Sequence, residues 1–259
     1  MILAIDIGNT NIVIGCFDQS DNIIFMERVS TNTLATDLEY ASIVKMAFEV
    51  HDVKTEHIDG SIISSVVPNV TDTFKKAVEK LTGKNVLIVN PGIKTGLSIH
   101  IDNPAQLGSD LVVDAVAGIR EYSVPQIIID MGTATTLSVI DRNKCYIGGA
   151  IMTGVQVSAD ALTSRASQLS KVSLNAPSKV IGTNTIDCIK SGMTYSSACA
   201  VDGMIERIEE ELGEKCTVIA TGGISNIIIP LCKHKIIIDD TLLLKGLIII
   251  YKKNIKNKI

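Results

Sequence analysis

Tryptophan is absent from this 259-residue chain, and all aromatic residues together make up only 3% of it. A core with so few rings has to be filled by Ile, Val, Leu and Ala, a mixture suited to strands buried between helices. Long apolar runs are also lacking. The greasiest stretch, 242–251, is interrupted by Lys245 and Gly246 and is too short to cross a bilayer. There is no basic excess: the net charge is −4 and the isoelectric point about 5.6, which leaves no cationic field for nucleic acid. The lysines near the end, Lys252, Lys253, Lys256 and Lys258, read as a solvated helix terminus where cations are favoured. None of the six cysteines has CxxC spacing and the four histidines are scattered, which argues against both a zinc site and a disulfide framework. The opening MILAIDIGNT meets an acidic residue at position 6, so a signal peptide is not expected. These absences point to a soluble, cytoplasmic protein with neither membrane nor nucleic acid as partner.

What the sequence does contain is an internal echo. ILAIDIGNTNIVIGCFDQSDNIIF at 2–25 is answered by IIIDMGTATTLSVIDRNKCYIGGAI at 127–151. At an offset of 124, Asp6 aligns with Asp130, Gly8 with Gly132, Val13 with Leu137 and Asn22 with Tyr146. Each copy has a strand, an acidic residue, a glycine turn, a second strand, a polar turn and a third strand. Two copies mean a duplicated domain rather than a solenoid. Helices and strands then alternate. Helices are expected over 34–50 (with Thr31 or Thr33 as N-cap), 69–81, 111–119, 155–169, 185–212 and 241–251; strands are expected over 60–66, 85–89, 217–220 and 236–238. The expectation is an α/β chain of two similar halves, 1–118 and 119–259, with a central cleft.

Three glycine turns carry the candidate chemistry. In Asp6-Ile7-Gly8-Asn9-Thr10 a strand turns sharply; glycine lets a ligand approach the backbone, and turn amides can face phosphate oxygens. An Asp at a strand end suits a hydrated magnesium ion on those phosphates. Taken alone, this segment reads more readily as an ordinary hairpin turn, the commoner occurrence. The balance changes with Asp130-Met131-Gly132-Thr133 in the second copy and Thr221-Gly222-Gly223 after a later strand. The paired glycines Gly222 and Gly223 would let an adenine ring or α-phosphate lie against the backbone. D-x-G, D-x-G-T and T-G-G in this order resemble the actin, Hsp70 and sugar-kinase superfamily, whose halves are ribonuclease H-like, actin-like ATPase domains.

A closer resemblance is to type III pantothenate kinases. It is carried by DIGNTN at 6–11, DNPAQLGSD at 102–110, IDMGTATT at 129–136, GGAIMTG at 148–154, GTNTIDCIKSG at 182–192, TGGIS at 221–225 and LLLKGL at 242–247. The resemblance implies ATP-dependent phosphorylation of pantothenate in coenzyme A synthesis. It makes Asp110 the catalytic base, whose plain alternative is a helix N-cap. Asp6 would bind magnesium, with Gly8, Asn9, Thr10, Asn11 and Thr133 around ATP. Asp130 would serve a monovalent cation, potassium or ammonium. Gly108, Ser109 and Asp110 would meet pantothenate together with Thr185, whose plain alternative is again helix capping. A homodimer is implied.

The pattern also has departures. Leu111 stands where the family usually has Arg, and Leu offers none of the directional donors of a guanidinium fork. Ile101 replaces an aromatic residue, Thr153 a proline, and 169–170 reads Leu-Ser instead of Leu-Pro. Arg165 and Lys171, in a helical region, are candidates to take over for the missing Arg. The nucleotide half is therefore better kept than the acceptor half. A nucleotide-binding regulatory homologue without turnover, or a kinase for another small hydroxyl acceptor, remains open at this level.

Overall fold

The computed structural model describes residues 1–166 and 172–255. Leu169, Ser170, Lys171, Lys256 and Lys258 lie outside the described residues. The chain begins with β1 (Ile2–Ile7), β2 (Asn11–Phe17), β3 (Ile23–Ser30), α1 (Asp37–Val50), β4 (Gly60–Ser65), α2 (Pro68–Thr82) and β5 (Val86–Ile88). A two-residue strand, β6 (Ser98–Ile99), and α3 (Ser109–Glu121) precede a second run of three strands, β7 (Gln126–Met131), β8 (Ala134–Ile140) and β9 (Cys145–Thr153). There follow α4 (Val155–Arg165), α5 (Thr185–Leu212), β10 (Thr217–Thr221), the short α6 (Ser225–Ile228), β11 (Ile237–Ile238) and α7 (Leu242–Ile255).

The chain forms two units. The first contains 1–97, 103–117 and α7; the second contains 98–102 and 118–241. This differs from a single cut after residue 118, and packing explains the difference. Leu244, Leu247, Ile248 and Ile250 of α7 share a core with Ile2, Ala4 and Ile62 of the first sheet, whereas β6 pairs with β9 of the second. In the first unit the strand order is β3-β2-β1-β4-β5, antiparallel from β3 to β1 and parallel from β1 to β5. The second sheet runs β11-β10-β7-β8-β9-β6, and β9-β8-β7-β10-β11 repeats the same order and directions. The duplicated actin-like α/β half is borne out.

Burial along β1 matches β7 residue for residue, and β2 matches β8. The hairpin loops do not match: Gly8, Asn9 and Thr10 link β1 to β2, whereas Gly132 and Thr133 alone link β7 to β8. The offset of 124 therefore falls to 123 after the first strand. Asp6 pairs with Val13 and Asp130 with Thr136, so Val13 corresponds to Thr136 rather than Leu137. Asn22 likewise corresponds to Cys145 rather than Tyr146. The next turns agree: Asp18 Oδ1 accepts from the Ser20 and Asn22 amides, and Asp141 Oδ1 from the Asn143 and Cys145 amides.

Each central strand has strictly alternating duties, because successive side chains point to opposite faces. Leu3, Ile5 and Ile7 pack with Tyr40, Val44 and Phe48 of α1 and Phe74 and Val78 of α2. Ile2 and Ala4 face Val113 and Val116 of α3 and the apolar side of α7. In the second unit, Ile127, Ile129 and Met131 lie with Ala198, Val201 and Ile205 of α5. Helix α1 starts later than expected. Its N-cap is Thr36, in a capping box with Glu39, because neither Thr31 nor Thr33 has a Glu three residues on. Helix α4 ends at Arg165, short of the expected 169, and Ala166 is already extended.

Helix α7 approaches α3 through Gly246, where an added Cβ would run into the Val113 carbonyl and lie 2.7 Å from Val113 Cγ1. Gly-to-Ala in a helix interior ordinarily stabilises by about 1 kcal/mol. Here the sign should reverse: Gly246→Ala is expected to lower the urea unfolding midpoint, since overpacking costs roughly 1–3 kcal/mol.

Candidate active site

In the first unit the site begins where an apolar row runs off the end of the sheet. Ile2, Ala4 and Asp6 point to one face of β1, and Asp6 is the penultimate residue of that strand. Ser64 is its parallel neighbour on β4. Ser64 Oγ lies 3.0 Å from Ser109 Oγ, and the Ser109 hydroxyl also donates to the Ser65 carbonyl at 3.1 Å. These bonds fix the first turn of α3 at the strand ends, which brings the Asp110 segment to the end of the sheet where Asp6 stands. Asp110 is the second residue of α3 rather than its N-cap. Its carboxyl is held above the usual carboxylate range, mainly because burial removes solvent; the Leu111 amide, donating to Oδ1 at 2.9 Å, opposes that effect. Gly108 is tight against this carboxylate, since a Cβ there would strike Asp110 Oδ1. Leu111 is half-buried in the same helical turn.

The following turn is closed by the Gly8 amide donating to the Asn11 carbonyl at 3.0 Å. Asn9 and Thr10 are exposed, with Gly8 and Asn11 half-buried. Thr31, expected as a helix cap, is instead bonded to this turn. Ser64 and Thr31 were both missed as site-building residues by sequence reasoning. Neither lies in a motif; the strand register and one long-range contact reveal them.

The second unit assembles its own cluster. Asp130 is penultimate in β7, with Thr136 of β8 and Thr221 of β10 beside it on the same face. Gly222 has φ +93°, and an added Cβ would lie 2.5 Å from Asp130 Oδ1 and 2.6 Å from the Met131 amide. Only a glycine permits both that conformation and that approach. Gly223, next in sequence, and Thr133 of the β7–β8 loop are exposed, and the Ile224 amide donates to the Met131 carbonyl at 3.4 Å. Thr136 Oγ1 is buried without a hydrogen-bond partner among the described residues. A carboxylate, neighbouring hydroxyls and one unsatisfied hydroxyl oxygen form an all-oxygen donor set that suits a hard cation.

Among the described residues no three His, Cys, Asp or Glu side chains gather as a metal cage. Of the acceptor-side positions, Ile101 is half-buried just after β6, and Thr185 is exposed as the first residue of α5. Thr185 does not cap that helix: Asn184 does, accepting from the Asp187 amide at 2.9 Å. No helix among the described residues is long and apolar enough to cross a membrane.

A family model described as type III pantothenate kinase matches residues 2–207. This chain belongs to the type III pantothenate kinase family. A relative of that name from Exiguobacterium sp. is 43% identical over 256 residues, covering 99% of this chain and 100% of the relative. Among solved structures, the chain is similar in fold to the activator of 2-hydroxyisocaproyl-CoA dehydratase from Clostridium difficile, solved with ADPNP bound. The TM-score is 0.61 at 14% identity, with 100% of this chain and 97% of that one covered. A ROK hexokinase from Thermus thermophilus gives 0.51 at 12% identity, covering 99% of each chain. These two likenesses concern the fold alone.

The raised proton affinity of Asp110 has a consequence for stability. Above its folded pKa the half-buried carboxylate is charged and destabilises the native state; acidification toward the ordinary value of 3.8 relieves that penalty. Asp110→Asn is therefore expected to melt at a higher temperature than the parent at pH 8. The difference should shrink as pH falls, measured by thermal unfolding across the pH range.

Proposed function

We propose that this chain transfers the γ-phosphoryl group of ATP to the hydroxyl of pantothenate, giving 4'-phosphopantothenate and ADP in the first step of coenzyme A synthesis. The observation that carries the reading is Asp110: a carboxylate with raised proton affinity, fixed through Ser109 and Ser64 at the end of the sheet that carries Asp6. Phosphoryl transfer asks little covalent chemistry of the protein and depends on alignment and charge neutralisation. The substrate hydroxyl donates its proton to Asp110 as its oxygen attacks the γ-phosphorus. The bond to the bridging oxygen breaks, and ADP leaves. A carboxyl group above the ordinary range is closer to the proton affinity that such a base needs near neutral pH.

Asp6 holds magnesium, which neutralises phosphate charge. The turn Gly8, Asn9, Thr10 and Asn11 holds the phosphates, and Thr133, Gly222 and Gly223 serve the nucleotide. Asp130, with the oxygen donors of Thr136 and Thr221, takes potassium or ammonium; the unsatisfied Thr136 hydroxyl supports that assignment. Ile101, Gly108, Ser109, Leu111 and Thr185 serve pantothenate. The enzyme works as a cytoplasmic homodimer, in keeping with its family resemblance.

Leu111 favours a second reading, nucleotide binding without turnover, because an alkyl side chain stands where the resemblance calls for a guanidinium. A coupled ADP-release assay with magnesium, potassium and pantothenate separates the two. The proposal expects pantothenate-dependent turnover that falls about 10²- to 10⁴-fold in Asp110→Asn, the range for loss of a general base. ATP-induced thermal stabilisation without pantothenate-dependent ADP release would support the second reading instead.

A further inference from the structure

The two copies of the duplicated hairpin treat the residue after their third strand differently. Asn11 pairs with Ser30, and Ala134 with Thr153, so the next residues, Thr31 and Gly154, are equivalent at the offset of 123. Their backbones do the same work. The Thr31 amide donates to the Thr10 carbonyl at 2.9 Å, and the Gly154 amide to the Thr133 carbonyl at 3.2 Å. Their side-chain requirements are opposite. In the second unit the two-residue loop lies directly on Gly154: an added Cβ would strike the Thr133 carbonyl and lie 2.5 Å from the Gly132 carbonyl oxygen. In the first unit the loop has one more residue, and a side chain fits. The Thr31 hydroxyl donates to the Gly8 carbonyl at 2.6 Å.

Thr31 therefore holds the loop at both ends, Gly8 by its side chain and Thr10 by its main chain. It is itself held from the core. The Tyr40 hydroxyl donates to the Asn32 carbonyl at 2.7 Å and accepts from the Asn32 amide at 3.2 Å. The Tyr40 ring is 1% exposed and packs against Phe74 with centroids 4.9 Å apart. In the second unit α4 starts immediately after Gly154, whereas five residues, 32–36, separate Thr31 from α1. That extra segment is what Tyr40 clamps.

We infer that Thr31, backed by Tyr40, is a positioning residue for the nucleotide: it fixes the Gly8 and Thr10 carbonyls so that the Asn9 and Thr10 amides of the turn are pre-aimed at phosphate oxygens. The inference rests on the assignment of that turn to ATP. A preorganised anion site lowers the ordering cost of binding, so loosening it should weaken nucleotide affinity selectively. The glycine equivalent in the second unit achieves the same rigidity by close packing.

The test uses the full-length protein and compares Thr31→Val, Thr31→Ser and Tyr40→Phe with the parent. Two quantities are read: affinity for magnesium AMPPNP by calorimetry, and KM for ATP and for pantothenate separately. Loss of one hydrogen bond from the clamp should weaken nucleotide binding about fivefold in Thr31→Val. KM for pantothenate should be unchanged, and Thr31→Ser, which keeps the hydroxyl, should return nucleotide affinity to within about twofold of the parent. Tyr40→Phe keeps the core ring and should move affinity in the same direction as Thr31→Val. Unchanged affinity in a folded Thr31→Val, an equal rise in both KM values, or no rescue by Ser would overturn the inference. If Thr31→Val does not fold, unchanged affinity in Tyr40→Phe overturns it. If the parent binds AMPPNP yet shows no turnover with pantothenate, the kinase reading fails, while calorimetry still decides the role of Thr31.

Discussion

The register of β1 is the constraint on which the rest depends. This strand pairs antiparallel with β2 and parallel with β4, and both ladders continue through Ile7. Because side chains alternate, the face that buries Ile2 and Ala4 must also carry Asp6, at the one place along that row where the sheet ends and a carboxylate can remain partly solvated. A slip of one residue would send Asp6 into the apolar layer under α1 and α2 and turn Ile5 and Ile7 toward α3 and α7 instead. Register, core and candidate chemistry are therefore one choice. The same holds for Asp130 on β7, whose burial pattern is the same.

Duplication supplies the frame, and the departures from it are informative. One deleted loop residue in the second copy brings the backbone close enough to demand Gly154, and Gly222 sits against Asp130 in a conformation closed to other residues. The first copy keeps a longer loop and binds it with a hydroxyl. A tight turn held by packing and a roomier turn held by hydrogen bonds are two ways of making backbone amides rigid. The helices complete the arrangement. A hydrogen bond between the Ser64 and Ser109 hydroxyls brings a helix N-terminus, and with it Asp110, to the strand ends.

Much of this was legible in the sequence because it rests on local signals. The repeated D-x-G turns, the strand triplets, the span of α5 and the glycine pairs follow from periodicity and turn chemistry alone. The missed features depend on long-range geometry. An offset of 124 looks correct until strand pairing shows that the loop has lost a residue. Thr31 resembles a helix cap until its hydroxyl is seen on Gly8, 23 positions away. Strand β6 has two residues, too few for any periodic signal, and exists only because β9 offers an edge. Helix α7 is evident as an apolar run, yet nothing local tells which half it packs against; its contacts with Ile2, Ala4 and Ile62 decide that.

We propose that the strand-end carboxylate of Asp6 holds the magnesium of a bound nucleoside triphosphate. The most direct test is calorimetric binding of AMPPNP to the parent protein and to Asp6→Asn, each with magnesium and with a chelator. Magnesium should strengthen binding to the parent, and Asp6→Asn should lose most of this strengthening while keeping its thermal stability. Equal magnesium dependence in both proteins would contradict it.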